Sequence, residues 1–391
     1  MFDYLVIGKG LMGTAVAKYL SNVSNNVAVL GPDEPTDWAK HEGVFASHYD
    51  QGRITRQLSK DEVWSILGQR AIQQYAEIEA QSGVQFYFPV GGLFVAPQTD
   101  DNQYLQQVDA IGQRLGVDFT HFDAVPEQFA FLQFPANCGG IHEPAPAGYI
   151  NPRSLVAAQL KIFADNGGTI LRETAVSVLP ESDYVNIKTL EGNQYQAKKI
   201  IIATGAFTND YDLLPHKLPL RVKTETIILA EIEEKEVARL AGMPTVIYEI
   251  ESPHLQDIYL LPPIQYPDGR FYLKMGCNTS ADRTLSSLDE RREWLISGNS
   301  DHMLTPMRAA LESIIPNLKA ISWQTKRCLI TYTEKGYPAI DELLKGQLYV
   351  VTAGNGSSAK SSDAIGQLAA SLAINETWQD SLAQHHFALG N

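Results

Sequence analysis

Apolar and polar positions change period several times along the chain, and each change marks an element. Residues 4–7 form a short apolar run that predicts a buried strand. Gly8-Lys9-Gly10-Leu11-Met12-Gly13 interrupts it, and residues 14–20 then place Val16 and Leu20 four apart, the spacing of one helix face. Residues 27–30 predict a second strand. A long helix is predicted over 60–82, with Val63, Ile66 and Leu67 at helix spacing and Gly83 as its stop. Residues 86–95 predict two strands about a turn, and 104–115 a helix. Pro152 stands at a first helical position, where a missing N–H costs nothing, and opens a helix to residue 162.

Short strands follow over 174–179, 185–189 and 194–197, then an apolar strand from Lys199 to a small-residue exit at Ala203-Thr204-Gly205. Alternation dominates 222–232, 245–249, 258–261 and 270–276, which is antiparallel material. Helices are predicted over 290–297 and 303–314. The chain closes with a strand at 348–354, a loop of small residues at 355–358 and a helix over 360–374. The order therefore runs α/β, mixed β, α/β, mixed β, α/β. It predicts an α/β fold: a Rossmann-like dinucleotide-binding domain in pieces (1–82, 142–216 and 323–391). A second domain on a mixed, largely antiparallel sheet (83–141 and 217–322) is inserted in it.

The 391 residues suffice for two domains. A net charge of −14 with no basic run argues against nucleic acid or an anionic membrane as partner, because phosphate binding needs clustered positive charge. Cys138, Cys277 and Cys328 form no CxxC or metal-type spacing, so neither a disulfide framework nor a metal site is expected. No stretch reaches the length of a membrane span, and the N-terminus lacks a basic leader. The expectation is a cytoplasmic protein, a monomer or small homo-oligomer. His142, His216 and His254 stand beside prolines or turns without a ligand-type partner, and no GxSxG supports hydrolase chemistry.

The glycine turn is where chemistry enters. A glycine-rich turn between strand and helix lets the backbone approach a pyrophosphate, whose charge the helix N-terminus stabilises. Gly8, Gly10 and Gly13 are the candidate contacts. The acid that should follow the second strand is missing, since that strand ends Leu30-Gly31-Pro32; Asp33 and Glu34 lie two and three residues late, and either substitutes if the loop curls back, with backbone groups as the alternative holder of the ribose. The turn by itself does not choose between FAD and NAD.

Four further segments bear on that choice. They are Ser47-His48-Tyr49-Asp50-Gln51-Gly52-Arg53-Ile54-Thr55-Arg56; Phe271-Tyr272-Leu273-Lys274-Met275-Gly276; Cys328-Leu329-Ile330-Thr331-Tyr332-Thr333 with Ile340-Asp341; and Gly354-Asn355-Gly356-Ser357-Ser358-Ala359-Lys360 ahead of Ile365-Gly366. In order, they resemble the SHxGDTRxxR, GLKxG, CxYTxT…IID and GxSGHGFK…IG segments of the sarcosine oxidase and N-methyltryptophan oxidase branch of the D-amino-acid-oxidase-like flavoproteins. The likeness spans nearly the whole chain.

That resemblance implies FAD, a small amine substrate and oxygen as electron acceptor, with an imine and hydrogen peroxide as products. It implies that Arg53 lies against the flavin, that Arg56 and Lys360 bind a substrate carboxylate, and that Lys274 sits over the flavin and activates oxygen. A cation there stabilises the superoxide being formed. It also implies a covalent bond from Cys328 to the flavin, and Lys326 and Arg327 beside it are expected to favour the thiolate. Gly356, Ser357, Ser47, Val176, Ala203 and Gly205 are further expected cofactor contacts.

Read without the resemblance, Arg53 and Arg56, three apart, would share one face of a helical turn, which equally suits a solvated basic face. Lys274 alternates away from Phe271, Leu273 and Met275 and reads equally as an exposed strand lysine. Two departures touch the substrate pocket: Asn278 stands for the family's His, and Ile330 for its Tyr. Tyr259 is a candidate pocket phenol. A dehydrogenase with another acceptor, a non-catalytic FAD module and an NAD-linked dehydrogenase stay open.

Overall fold

The computed structural model describes residues 1–389 and contains three sheets. In the first, the strands Phe2–Ile7, Val27–Leu30, Gln194–Ile202 and Leu348–Thr352 run parallel. Ile200, Ile201 and Ile202 are buried throughout, because layers cover both faces of a parallel sheet. The strands expected at 194–197 and from Lys199 are one continuous strand. Its first half pairs antiparallel with Val185–Thr189 and its second half parallel with Leu348–Thr352.

Helices Leu11–Leu20, Glu62–Ser82, Pro152–Asp165 and Ser358–Asn375 share one core with this sheet. Local chemistry sets their ends. Asp61 accepts from the Trp64 N–H at 2.9 Å, Gly83 closes the same helix with φ +68°, and Asn151 caps the helix that Pro152 begins. The first helix starts at Leu11, three residues earlier than the apolar spacing predicts, so Gly13 lies inside it. The first and last helices touch backbone to backbone: a Cβ on Gly366 would sit 2.3 Å from that of Ala15. Beside this contact Asp363, fully buried, accepts from Lys18 Nζ at 2.6 Å, Tyr19 Oη at 2.7 Å and Gln159 Nε2 at 3.2 Å.

The second sheet has nine strands and is mainly antiparallel, centred on Arg221–Ile232, Phe271–Asn278, Asp257–Gln265 and the thirteen-residue Ala320–Tyr332. Leu273 and Met275 face a core shared with helix Leu304–Ile314, while Lys274 faces the opposite side, as the alternation predicts. The Ala320–Tyr332 strand lies wholly in this sheet, so the expected boundary at 323 falls inside it, and that at 142 falls inside strand Cys138–Glu143.

The third sheet corrects an expectation. Arg53–Thr55 is a strand, paired with Gly148–Ile150, which in turn pairs with Tyr87–Phe88. Arg53 and Arg56 are therefore not on a helical turn. Positions three apart on extended backbone point to opposite sides. Among the described residues no helix is long and apolar enough to cross a membrane, and no cluster of metal-type ligands occurs.

Replacing Asp363 by Ala leaves Lys18 as an uncompensated buried charge. A loss of about 3–5 kcal/mol is expected, measured by urea unfolding; an unchanged midpoint would show that this cluster does not hold the helices together.

Candidate active site

A cleft of about 1270 Å³ runs between the first and second sheets. That volume exceeds what a drug-sized ligand needs and accommodates a dinucleotide together with a small substrate.

The glycine turn forms one end. Gly8 has φ +114°, and a Cβ there would lie 2.3 Å from the Ala203 carbonyl oxygen; a Cβ on Gly13 would lie 1.8 Å from the Gly8 carbonyl oxygen. Both positions therefore exclude a side chain. The helix after the turn has Gly10 as N-cap, with no side-chain cap and no acid in its first turn. Its free N–H groups open on the cleft, which Gly10, Leu11 and Met12 line. His48 adds a donor or acceptor here: its Nδ1 is buried without a partner, close to Gly10, and burial holds its pKa down at about 3, so the ring is neutral.

The missing acid has a steric cause. A Cβ on Gly31 would lie 2.7 Å from that of Lys9. Lys9 pairs with Asp33, which also meets Arg172, and this turns Asp33 away from the cleft wall. Glu34 lines the cleft instead and binds Arg153 through both oxygens, at 2.7 and 2.6 Å. Ser47, Ala203 and Gly205 line the cleft as expected; Val176 does not, and Glu173, Thr174 and Ala175 take that place.

The last helix brings a second N-terminus to the same cleft. The loop 354–357 passes through Asn355 and Gly356 at positive φ, and Asn355 ties it to strand Ala320–Tyr332 through Thr331 and Thr333. Ser357 provides no side-chain cap; the Ser357 and Ser358 N–H groups turn back to the Gly354 carbonyl, which leaves those of Ala359 and Lys360 free, and Gly356, Ser357 and Ala359 line the cleft. Lys360 follows within the first turn, 3% exposed, with Nζ 3.1 Å from the Trp64 carbonyl oxygen. Arg56, also a cleft residue, donates to the Leu58 carbonyl at 3.1 Å and lies over the Phe94 ring. Burial lowers the pKa of both cations, and for Lys360 the neighbouring Arg56 adds to the effect. The buried Glu143 accepts from the Gln57 and Leu58 N–H groups and so fixes the backbone that carries Arg56.

The second sheet supplies the floor. Alternation places Ile227 and Glu225 on one strand, Cys328, Lys326 and Ile330 on the next, and Tyr259 and Asn278 on their neighbours, all facing the cleft. A Cβ on Gly276 would fall 2.3 Å from the Tyr259 ring, so this glycine lets the ring lie across the strand. Lys274 is 1% exposed. Its Nζ donates to Asp50 Oδ2 at 2.5 Å and to the Gly52 carbonyl at 2.8 Å, and lies 5.3 Å from the Tyr259 ring centre. Arg53 donates to the same Asp50 oxygen. The structure thus joins Lys274, Arg53 and Tyr259, while Arg56 and Lys360 form a separate cationic corner.

Cys328 departs from the expected electrostatics. Arg327 points to the other face of the strand, where it donates to the carbonyls of Leu295, Ile296 and Gly298. Burial raises the thiol pKa, and the cations that oppose this are Arg53 and Lys274. Two acids absent from the expected set complete the site. Asp50 lay unread inside the Ser47 to Arg56 segment. Glu225, directly across from Cys328, had only strand alternation as its signal; burial pushes its carboxyl up to about 7 against the pull of Lys223. Lys223 also binds Asn278 Oδ1 at 2.7 Å and Asp282 at 2.6 Å, and Asn278 Nδ2 reaches Asp257.

Comparison with known proteins agrees with this geometry. Residues 3–372 match the family model described as FAD dependent oxidoreductase. The chain is similar to monomeric sarcosine oxidase of Bacillus sp. (strain NS-129), 24% identical over 381 residues that cover 95% of this chain and 92% of that one. It is 26% identical to N-methyl-L-tryptophan oxidase of Yersinia pestis (strain Pestoides F) over 218 residues, covering 55% of this chain and 56% of that one. Its fold resembles that of NikD, an unusual amino acid oxidase essential for nikkomycin biosynthesis, with a TM-score of 0.80 at 18% identity over 99% of this chain and 97% of that one. Two helix N-termini without side-chain caps, and a turn whose Gly8 and Gly13 exclude side chains, fit the pyrophosphate and ring of FAD.

Gly13→Ala forces a methyl into the Gly8 carbonyl. The variant should lose the thermal stabilisation that added FAD gives the wild-type protein, read as a shift in melting temperature; an undiminished shift would rule out this turn as the phosphate site.

Proposed function

The chain belongs to the FAD-dependent oxidoreductase family, and on that premise we propose that it is an oxidase of a small amine carrying a carboxylate. Secondary amines and N-substituted amino acids are the substrates to which this reading points. The observation that carries it is the corner formed by Arg56 and Lys360. Buried Lys360 and half-buried Arg56, both with depressed pKa values, lack a carboxylate of their own within hydrogen-bonding distance. A substrate carboxylate there would satisfy both, and charge-assisted bonds in such a site are strong.

When bound, FAD supplies the two-electron acceptor for oxidation of the amine to an imine, which water hydrolyses, and returns the electrons to oxygen as hydrogen peroxide. The protein's part is placement and charge. Arg56 and Lys360 orient the carboxylate, Tyr259 and Ile330 wall the pocket, and Arg53 in the wall, with Lys274 buried behind it, holds positive charge there. Asn278, bound by Lys223 and Asp257, is fixed in orientation and carries no titrating proton. Lys274 acts on the oxygen side, since a buried cation favours formation of superoxide.

Peroxide release across N-methyl amino acids, cyclic imino acids and primary amines tests this reading. Activity should be confined to substrates with a carboxylate, and Arg56→Ala should raise KM about 10- to 100-fold, the equivalent of one lost charge-assisted bond. Equal turnover of the matching amines without a carboxylate would overturn it.

We also propose that Cys328 holds the flavin covalently, with Arg53 and Lys274 stabilising the thiolate against burial. After acid precipitation the yellow colour should stay with wild-type polypeptide and leave with the supernatant in Cys328→Ala. Colour lost from both would remove the covalent link but not the oxidase.

A further inference from the structure

We propose that Asp50 is the positioning residue for Lys274: its carboxylate anchors the lysine ammonium beside Arg53, directly behind the cleft wall that Asp50 and Arg53 line. This inference rests on the oxygen-side role given to Lys274 above and adds to it a residue that the resemblance does not supply. In the segment that likens Ser47 to Arg56 to the family pattern, a glycine stands where this chain has Asp50.

The geometry is specific. Asp50 is 8% exposed, and its Oδ2 accepts from both Lys274 Nζ, at 2.5 Å, and Arg53. Its Oδ1 accepts from Tyr266 Oη at 3.0 Å and from the Gln51 N–H at 2.8 Å. The Gly52 carbonyl then takes a second bond from each cation, 2.8 Å from Lys274 and 2.9 Å from Arg53. One carboxylate and one carbonyl therefore fix the relative position of both side chains.

Every element packed on Lys274 leaves this duty to Asp50. Its partners across the sheet are Leu229 and Leu261, both apolar. Arg53 opposes its charge. Tyr259 presents a ring, with a phenol that burial keeps protonated, and Tyr266 is itself bound to Asp50. Cys328 offers no hydrogen bond to the lysine, and Glu225 is engaged by Lys223. Among the described residues Asp50 is the one carboxylate in contact with Lys274.

Burial first, and then Arg53, hold the Lys274 pKa down at about 8, with Asp50 acting in the opposite direction. The lysine is charged below that value and neutral above it. Removing the carboxylate takes away the counterweight, so the ammonium gives up its proton at neutral pH and the lysine loses its anchor. Arginine in its place would stay charged without that help.

The experiment follows flavin-loaded wild type, Lys274→Met, Asp50→Asn and the double variant Asp50→Asn/Lys274→Arg, with Lys274→Arg as its reference. The second-order rate of reoxidation of reduced flavin by oxygen is measured from pH 6 to pH 10. Wild type should slow as pH rises through about 8. Lys274→Met should be about 100-fold slower, the scale of losing one preorganised electrostatic group. Asp50→Asn should fall at least about ten-fold at pH 7 and shift its inflection below neutrality, whereas the same change on the Lys274→Arg background should alter the rate less than about three-fold.

A second readout is independent of turnover. In oxidised protein carrying 13Cε-labelled lysine, the signal absent from Lys274→Met should titrate near 8 in wild type and below about 7 in Asp50→Asn. An Asp50→Asn protein with the wild-type rate, pH profile and lysine titration would overturn the inference and leave the oxidase reading standing. If Lys274→Met itself reoxidises as fast as wild type, the oxygen role of Lys274 fails and this inference falls with it.

Discussion

The close crossing of the first and last helices is the constraint on which the site depends. Gly366 removes the side chain that would hold the helix axes apart, and Lys18 with Asp363 fixes the crossing by a buried, hydrogen-bonded charge pair. Because the two helices cross this closely, their N-termini open on the same cleft. Each begins without a side-chain cap, which leaves orphan N–H groups that only an external acceptor can satisfy. A crossing a few ångströms wider would separate an anion site at Gly10 from one at Ser357.

Against that frame the second sheet contributes charge in a low-dielectric setting. Arg53, Arg56, Lys274 and Lys360 are all withdrawn from water, so each carries a desolvation penalty. The protein meets the penalty in two ways. Arg53 and Lys274 share Asp50, whereas Arg56 and Lys360 rest on backbone carbonyls and an aromatic ring. The first pair has a carboxylate to share and the second has none within hydrogen-bonding distance. That asymmetry separates a part of the site that is permanently wired from a part that awaits an anion.

Much of this was legible from residue order. The strand, turn and helix at the start, the Lys274 face and the loop before Lys360 all rest on local periodicity or on glycine, and these signals are carried by neighbours in sequence. The failures have a common origin. Arg53 to Arg56 was read at helix spacing, yet pairing with Gly148–Ile150 drew it into a strand. Arg327 was counted as a neighbour of the Cys328 thiol until a thirteen-residue strand put adjacent side chains on opposite faces. Asp33 was offered to a ligand but is taken by Lys9 and Arg172, residues that approach it only in the folded chain.

The sequence by itself determined the cofactor-binding architecture and the kinds of residue at the site. Periodicity, glycine at obligatory turns and ordered motif segments are one-dimensional properties. Only the tertiary structure decided which charge meets which. Asp50 against Lys274, Glu225 against Cys328 and Glu34 against Arg153 are partners separated by many residues, brought together by strand register and helix crossing. Electrostatic energy depends on distance and burial, and neither is written in the order of residues.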